Sequence, residues 1–547
     1  MRRALATAVA LAIPLAGLLL LLGVPRLDVM WQNESGHFWL VLAAALTSFA
    51  LGFLMGLASS FAKDVQTELM TGREWQNAVY IRDRWNVSPK FTISAGLRME
   101  HYPLMTRADR GLERLDLATY EVLIGGLGGV PKDVGLDVKS LYFAPRVGAM
   151  YRLSEDAVVR AGYGQTINPL PWSRPLRGSF PQDVNFNRSA EQFFWTTTLA
   201  EGIPDVPTPD ISAGRVKLPP GVFMRTPNPD DLDRAIIQQW NVAYERRLPG
   251  NISAEIAYVG TRTDEGYADL NINHGEPGGG NASRKYFAVA GTTAINDWAS
   301  RTISRYHGLQ IGINRPFQNG LLLKGAYTLS RAKNMADEDG WVGLTWNHPL
   351  MYSENYALAG FDRTHVFQMG WVYELPFLRN DTSVVGTILG GWQLNGVFAA
   401  FSGTPYSIGG SNTALNCQGC GSIFINVSQD PQRAGAVGSS TEPYYPVEIF
   451  SNPTGTGREG FGNSGRNRFR RPPVWYADLS LFKAFSIGRF RPELRIESTN
   501  VLNHPNWGAP VTGITSLNFM RFTPGSVESG TNSPGARTVR VGLRFQF

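Results

Sequence analysis

The chain holds only two cysteines, Cys417 and Cys420, close together in NCQGCG. One CxxC with no second pair, and no His at ligand spacing, does not complete a tetrahedral zinc site. A thioredoxin-like redox motif needs a βαβ setting, which this region lacks. The pair therefore predicts a small disulfide loop in an oxidising compartment, with local stiffening as its role. Gly455, Gly457 and Gly460 form GTGREG, a formal match to a dinucleotide fingerprint. That chemistry needs a strand before the first glycine and a helix after the last, whereas SNPT and FGNSG read as loop on both sides. Asp337, Glu338 and Asp339, and Asp230, Asp231 and Asp233, are acidic clusters that read as solvated loops rather than as the six or more oxygens calcium takes. The seven histidines, His365 and His504 among them, show no HExxH and no Cys or carboxylate partner at ligand spacing. No Ser, His and Asp arrangement stands out. The chain is expected not to be an enzyme, with no catalytic residue, cofactor or metal site.

A protein without a reaction centre is read from its elements. Charged residues make up 18% of the 547, below the roughly 25% usual in soluble domains. Gly at 59, Pro at 34 and 11% aromatics favour strands and turns over helices. The net charge of +6 comes from Lys and Arg spread along the chain and interleaved with acids, as in RFRPELRIES. A spread of that kind is not the basic block of a nucleic-acid binder, and no nucleic-acid partner is expected.

The last segment, ARTVRVGLRFQF, sorts by alternation. Val539, Val541, Leu543, Phe545 and Phe547 take one side, and Arg540, Gly542, Arg544 and Gln546 take the other. FTISAGLRME sorts the same way, and in FRPELRIES the charges Arg491, Glu493, Arg495 and Glu497 oppose Phe490, Leu494 and Ile496. A helix would not separate them so. Four charges on one strand face need water or one another, and a water-filled lumen supplies both. Arg491, Glu493, Arg495, Glu497, Arg540 and Arg544 are therefore expected to face a lumen.

Thirteen strands are predicted, near 73–86, 90–102, 139–153, 156–168, 234–248, 251–262, 303–316, 320–333, 362–375, 386–402, 473–487, 489–501 and 536–547. Short turns (NVSPK, LSED, LPGN, RPFQNG, the PFLRND region, SIG) alternate with long connections. That is the signature of an antiparallel barrel with tight periplasmic turns and long outer loops. Trp371, Tyr373, Trp475 and Tyr476 sit near strand ends, where an aromatic girdle would lie. An odd count is unusual for a bacterial barrel, so either the region near 115–126 holds a further strand or part of the barrel is missing. The fold expected is an all-β, transmembrane antiparallel β-barrel, partial, of about 13–14 strands, preceded by two apolar helices.

Those helices would come from 4–24 and 38–62, each long enough to span a bilayer. They fit an outer-membrane barrel poorly, because such helices tend to be retained in the inner membrane. Ala58-Ser59-Ser60 offers only a weak cleavage site for a leader. The expected division is an apolar segment over 1–62 (a fusion, a wrong start or a leader) and a barrel over 63–547.

Four segments together resemble the β-barrel of Oar-like TonB-dependent receptors: WQNAVYIRDRWNVSPKFTISAGLRMEHYP, ENYALAGFDRTHVFQMGWVYELPF, GNSGRNRFRRPPVWYADLSLFKAF and LRIESTNVLNHPNWG, followed by RVGLRFQF. The likeness covers roughly 73–547 and keeps the family order. It implies the outer membrane of a Gram-negative bacterium and uptake of an unknown ligand. Its implied partners are outer-membrane lipid, the barrel assembly machinery that reads the terminal strand Val539 to Phe547, and the TonB system if a plug exists elsewhere. Family barrels have 22 strands and an N-terminal plug. Residues 1–72 are too short and too apolar for that plug, so the chain looks like a C-terminal portion. The alternative is a plugless, truncated barrel acting as a surface structural or binding module. An outer-membrane hydrolase is the third and least favoured reading. Within the family motifs, Asp362-Arg363 and Asn503-His504-Pro505 are expected to fix strand-to-loop geometry.

Overall fold

A computed structural model describes residues 54–546 apart from 59, 171–179, 190–195, 204, 206–207, 339–342, 379–380, 382, 486–489 and 528–534. Thirteen long strands form one antiparallel meander in chain order. They are β1 (Asn77–Ser88), β2 (Phe91–His101), β3 (Leu141–Arg152), β4 (Ala157–Ile167), β5 (Ile236–Leu248), β6 (Ile252–Asn271), β7 (Ile295–Gln318), β8 (Leu321–Asn334), β9 (His365–Glu374), β10 (Trp392–Phe401), β11 (Val474–Ala484), β12 (Arg491–Thr499) and β13 (Thr538–Gln546). Each lies where alternation predicted a strand. Among the described residues no pairing joins β1 to β13, and both are exposed along their described length.

The register carries one apolar face across the whole sheet. Ile81 lies opposite Leu97, Ile93 opposite Ala149, Tyr244 opposite Ile256, Ile256 opposite Ile311 and Ile311 opposite Tyr327. The stripe continues with Trp371 opposite Gly396 and ends with Ile496 opposite Val541. Many of these side chains are exposed, Ile81 at 74% and Val541 at 71% among them. A contiguous exposed apolar face of this kind suits lipid rather than water. Asp83 interrupts it in the middle of edge strand β1. A charge in such a place discourages edge-to-edge association.

Such a wall buries little protein against itself, and the core sits instead in the long connections. One cluster gathers Met105, Leu112, Val134, Leu232, Tyr267 and Trp298. Another gathers Tyr406, Ile425, Tyr445, Phe450, Phe469 and Phe522. β6 and β7 run further than alternation alone predicted, because a bulge at Thr263–Gly266, with Glu265 at φ 59°, restarts the pairing beyond the wall. The extra length meets Met224–Pro227, which pairs in parallel with Ile295–Trp298.

Several expectations need correction. The segment near 115–126 is no wall strand: Glu113–Asp116, Glu121–Ile124 and Arg215–Lys217 form a separate three-stranded sheet in the loops. The strand expected from 386 begins at Trp392, because Val384–Leu389 is a short helix whose Ser383 side chain accepts from the Gly386 N–H at 3.1 Å. Ser383 is a good N-cap, and Val384, Val385, Ile388 and Leu389 recur at helical spacing. Of the two apolar helices, the first run and most of the second lie outside the described residues. The described end of the second is extended, since Leu57–Ala58 and Ser60–Gln66 pair with Thr197–Thr198 and Asp183–Ser189. The expected boundary at 62/63 thus falls inside a strand. Among the described residues no helix is long and apolar enough to cross a membrane. The SIG turn and Phe547 lie outside the described residues.

Candidate functional site

Antiparallel pairing places alternate residues of β12 and β13 directly opposite one another. Glu493 meets Arg544, Glu497 meets Arg540, Arg491 meets Gln546 and Arg495 meets Gly542, all on one face. Arg495 also pairs with Glu493 along its own strand, and its guanidinium lies 4.8 Å from the Phe482 ring centroid. Leu494 and Leu543, Ile496 and Val541, and Pro492 and Phe545 fill the other face. Opposite charges facing across strands stabilise one another, each pair by roughly 0.2–1 kcal/mol. The same polar face bears Arg98 with Glu100 on β2 and, between β4 and β5, Arg160 with Glu245 at 2.8 Å. It presents a series of balanced charges.

At the end with long connections, two of the segments singled out above interlock. Arg466 donates to the Asn334 and Asn355 carbonyls at 2.9 and 2.8 Å, and to Asn334 Oδ1 and Asp337 Oδ1 at 2.8 Å each. Burial lowers its pKa from the usual guanidinium value, against the raising effect of Asp337. Asn467 donates to the Leu358 carbonyl at 2.7 Å. Arg470 pairs with Asp362, whose other oxygen accepts from the Ala332 N–H at 2.6 Å. Arg363 donates to the Ser402 carbonyl at 2.7 Å. In the final connection Asn503 Oδ1 accepts from the Arg537 N–H at 3.0 Å, and Asn500 Nδ2 donates to the Gly535 carbonyl at 2.7 Å. The His504 ring stacks on Trp475, 3.8 Å between centroids. Each of these side chains ties a strand end to a loop.

The acidic clusters are drawn into the same scaffolding. Asp337 is held by Arg466, and Asp233 pairs with Lys139 at 2.7 Å and accepts from the Tyr142 hydroxyl. Asp339 lies outside the described residues. Gly455, Gly457 and Gly460 lie in a loop that runs into the single turn Arg458–Phe461. A second loop unit is anchored by Arg107 and Glu113, fully buried and 2.5 Å apart. Burial pushes the Glu113 carboxyl up, against the pull of Arg107 and then Arg110.

Cys417 and Cys420 are joined as a disulfide. The bridge abuts two other loops: the Cys420 sulfur lies 3.2 Å from the Gly275 carbonyl, and the Cys420 carbonyl accepts from the Asn347 N–H at 2.8 Å. There His274, Glu276 and His348 come together, with ligand atoms all within 4.8 Å of one another. This corrects the expectation that no histidine has a carboxylate partner at ligand spacing. The sequence signal was the His-x-Glu at 274–276. The second histidine, 72 residues beyond Glu276, carries no local sign of belonging with it.

The chain matches a family model described as an outer membrane beta barrel domain over residues 33–540. No curated protein sequence matches it. Among solved structures, the siderophore receptor PiuA from Acinetobacter baumannii is similar at 10% identity and a TM-score of 0.40, over 86% of this chain and 43% of that one. The ferric citrate transporter FecA in its unliganded form is similar at 11% identity and 0.40, covering 86% and 45%. The copper transporter OprC is similar at 10% identity and 0.39, covering 86% and 48%. The chain thus spans less than half the length of these proteins. By the family match over most of its length, the chain belongs to the outer-membrane β-barrel family and is an outer-membrane protein of a Gram-negative bacterium.

Proposed function

We propose that the chain is the membrane-spanning wall and loop cap of a TonB-dependent receptor of the Oar-like kind, serving binding and uptake of a ligand across the outer membrane. The observation that carries this reading is the division of labour in the fold. Thirteen two-faced strands give the sheet one apolar and one charged face, and the buried aromatic core lies in the long connections, where a receptor would present its ligand surface. The lipid side is the face of Val539, Val541, Leu543 and Phe545. The lumen side is that of Arg491, Glu493, Arg495, Glu497, Arg540 and Arg544. TonB engages only where a plug is supplied, and the terminal strand is the segment the assembly machinery reads.

A second reading, a plugless binding or structural module, draws on the edges of β1 and β13, which are unpaired among the described residues. The orientation common to both is tested with single cysteines in whole cells, since the native pair is bonded and silent to maleimide. Ser439→Cys, in the connection between β10 and β11, should react with a membrane-impermeant maleimide, and Asn251→Cys, in the tight turn between β5 and β6, should not. Labelling at Asn251→Cys alone would invert the topology and remove the receptor reading. Planar-bilayer conductance separates the two readings: a steady pore formed by the purified chain alone favours the self-sufficient module, whereas a wall completed by further strands forms none by itself.

A further inference from the structure

We infer that His274, Glu276 and His348 form a binding site for a borderline divalent transition cation, of the Zn²⁺ or Cu²⁺ class, on the long-loop end of the protein. Two imidazoles and one carboxylate are a donor set that suits these ions and leaves coordination positions open for a further ligand. Metal–donor bonds of about 2.0–2.2 Å put two tetrahedral ligands about 3.4 Å apart. His348 Nε2 and Glu276 Oε2 are 3.1 Å apart, near that span without rearrangement. The His274 and His348 rings meet edge to face, 4.9 Å between centroids.

The donors are oriented by what surrounds them. His274 Nδ1 lies 3.0 Å from the Gly275 carbonyl. A proton donated there leaves Nε2 with its lone pair free, the backbone partner that metal-binding histidines commonly use. His348 is buried, whereas the Glu276 carboxylate is 67% exposed and offers an approach from solvent. Three loops converge on the site and are fastened to each other. Gly275 N–H donates to the Gln418 carbonyl at 2.7 Å, Gly278 N–H to the Leu415 carbonyl at 2.6 Å, and Asn347 Nδ2 to the Gly419 carbonyl at 3.0 Å. The Cys417–Cys420 bridge closes the loop that carries two of these acceptors, Gln418 and Gly419, and Leu415 lies just ahead of it, so the donors are held in place before a cation arrives.

One contact opposes binding. The Leu350 N–H points at His348 Nδ1, 3.2 Å away, and so puts the imidazole proton on Nε2, facing Glu276. A cation at Nε2 moves that proton to Nδ1 and breaks the cap on the turn Pro349–Asn355. Losing such a cap weakens the site by roughly fivefold. Affinity in the micromolar range is the expected result.

The test is titration of the full chain in detergent with Zn²⁺ against a chromophoric chelator, with Ca²⁺ in parallel. One equivalent of Zn²⁺ should bind, and His274→Ala and Glu276→Gln should each weaken it by more than about a hundredfold, beyond the loss typical of an outer-shell change. Ca²⁺, which takes all-oxygen sites, should bind far more weakly. Neither substituted side chain is buried, and an unchanged β-type circular dichroism spectrum verifies folding of both variants. The inference is overturned if no saturable binding occurs below a millimolar, if both variants bind as the parent does, or if Ca²⁺ binds as tightly. It stands or falls independently of transport.

Discussion

Replacing Ile311 by Arg tests the assignment of the two faces at the point where it is most constrained. Ile311 is on an interior strand, 40% exposed, and is flanked in register by Ile256 on β6 and Tyr327 on β8. On the same side of β7 the apolar run ends at His307 in one direction and Arg315 in the other, each four residues away. His307 Nδ1 engages the Tyr258 hydroxyl at 2.7 Å, and Arg315 reaches the Leu321 carbonyl, as polar groups do at the headgroup level. At about 3.3 Å per residue the interval is roughly 26 Å along the strand. Tilted by about 40°, it covers some 20 Å of an apolar band about 25 Å tall, which leaves Ile311 close to its middle. A guanidinium there should cost about 2–4 kcal/mol, or roughly 30- to 700-fold in the folding equilibrium. Gln310→Arg, one residue away, turns toward Ala257 and Thr328 on the polar face and should change stability by less than about 0.5 kcal/mol. Reversible urea unfolding in lipid vesicles, followed by tryptophan fluorescence, measures both. Equal losses, or a larger loss at Gln310, would refute the assignment of faces. The same contrast should hold at the edge for Val541→Arg against Arg540→Leu.

The buried pair in the loops gives a pH-dependent expectation. Arg107→Met removes the charge that holds the Glu113 carboxyl down, so its pKa in the folded state rises further above the unfolded value. A carboxyl raised on folding gives stability that is present at low pH and lost as pH climbs through the folded pKa. The variant loop unit should therefore resist proteolysis at pH 5 and be cut readily at pH 8, and Arg107→Met with Glu113→Gln should lose that dependence. Breaking the pair should cost about 3–5 kcal/mol at neutral pH. Asp362→Ala strands the Ala332 N–H and frees Arg470, a loss of about 2–3 kcal/mol. Thermolysin digestion of that variant should begin within 335–364, and parent-like resistance there would count against the tether.

The wall was legible because a strand repeats every two residues, and a lipid-exposed sheet must keep that repeat without interruption. Tight turns such as LPGN completed the signal, since Asn251 and Gly250 take positive φ there. Alternation fails where packing replaces lipid as the partner. Beyond the bulge at Gly266, β6 and β7 are buried on both sides around Tyr267, Ala268 and Trp298, so their sequence no longer alternates. The region near 115–126 read as one possible further strand, whereas Glu113–Asp116 and Glu121–Ile124 are two short arms joined by a turn with Tyr120 at φ 59°. The tethers were half visible: Asp362 and Asn503 stood out within recurrent segments, but nothing local names Arg470 or Arg537 as their partners. The histidine cluster was half visible for the same reason, because His274 and Glu276 are near neighbours in sequence while nothing local names His348 as their partner.

The direction of travel of the strands sets a rule for how the two edges left unpaired among the described residues can be satisfied. In an antiparallel meander of thirteen, the first and last strands point the same way, so β1 laid directly against β13 would make a parallel pair. That holds within one molecule and between two molecules inserted the same way up. Parallel ladders have slanted bonds and are slightly weaker per residue. A ring in which every neighbour runs opposite therefore requires an odd number of additional strands between β13 and β1, whichever polypeptide supplies them.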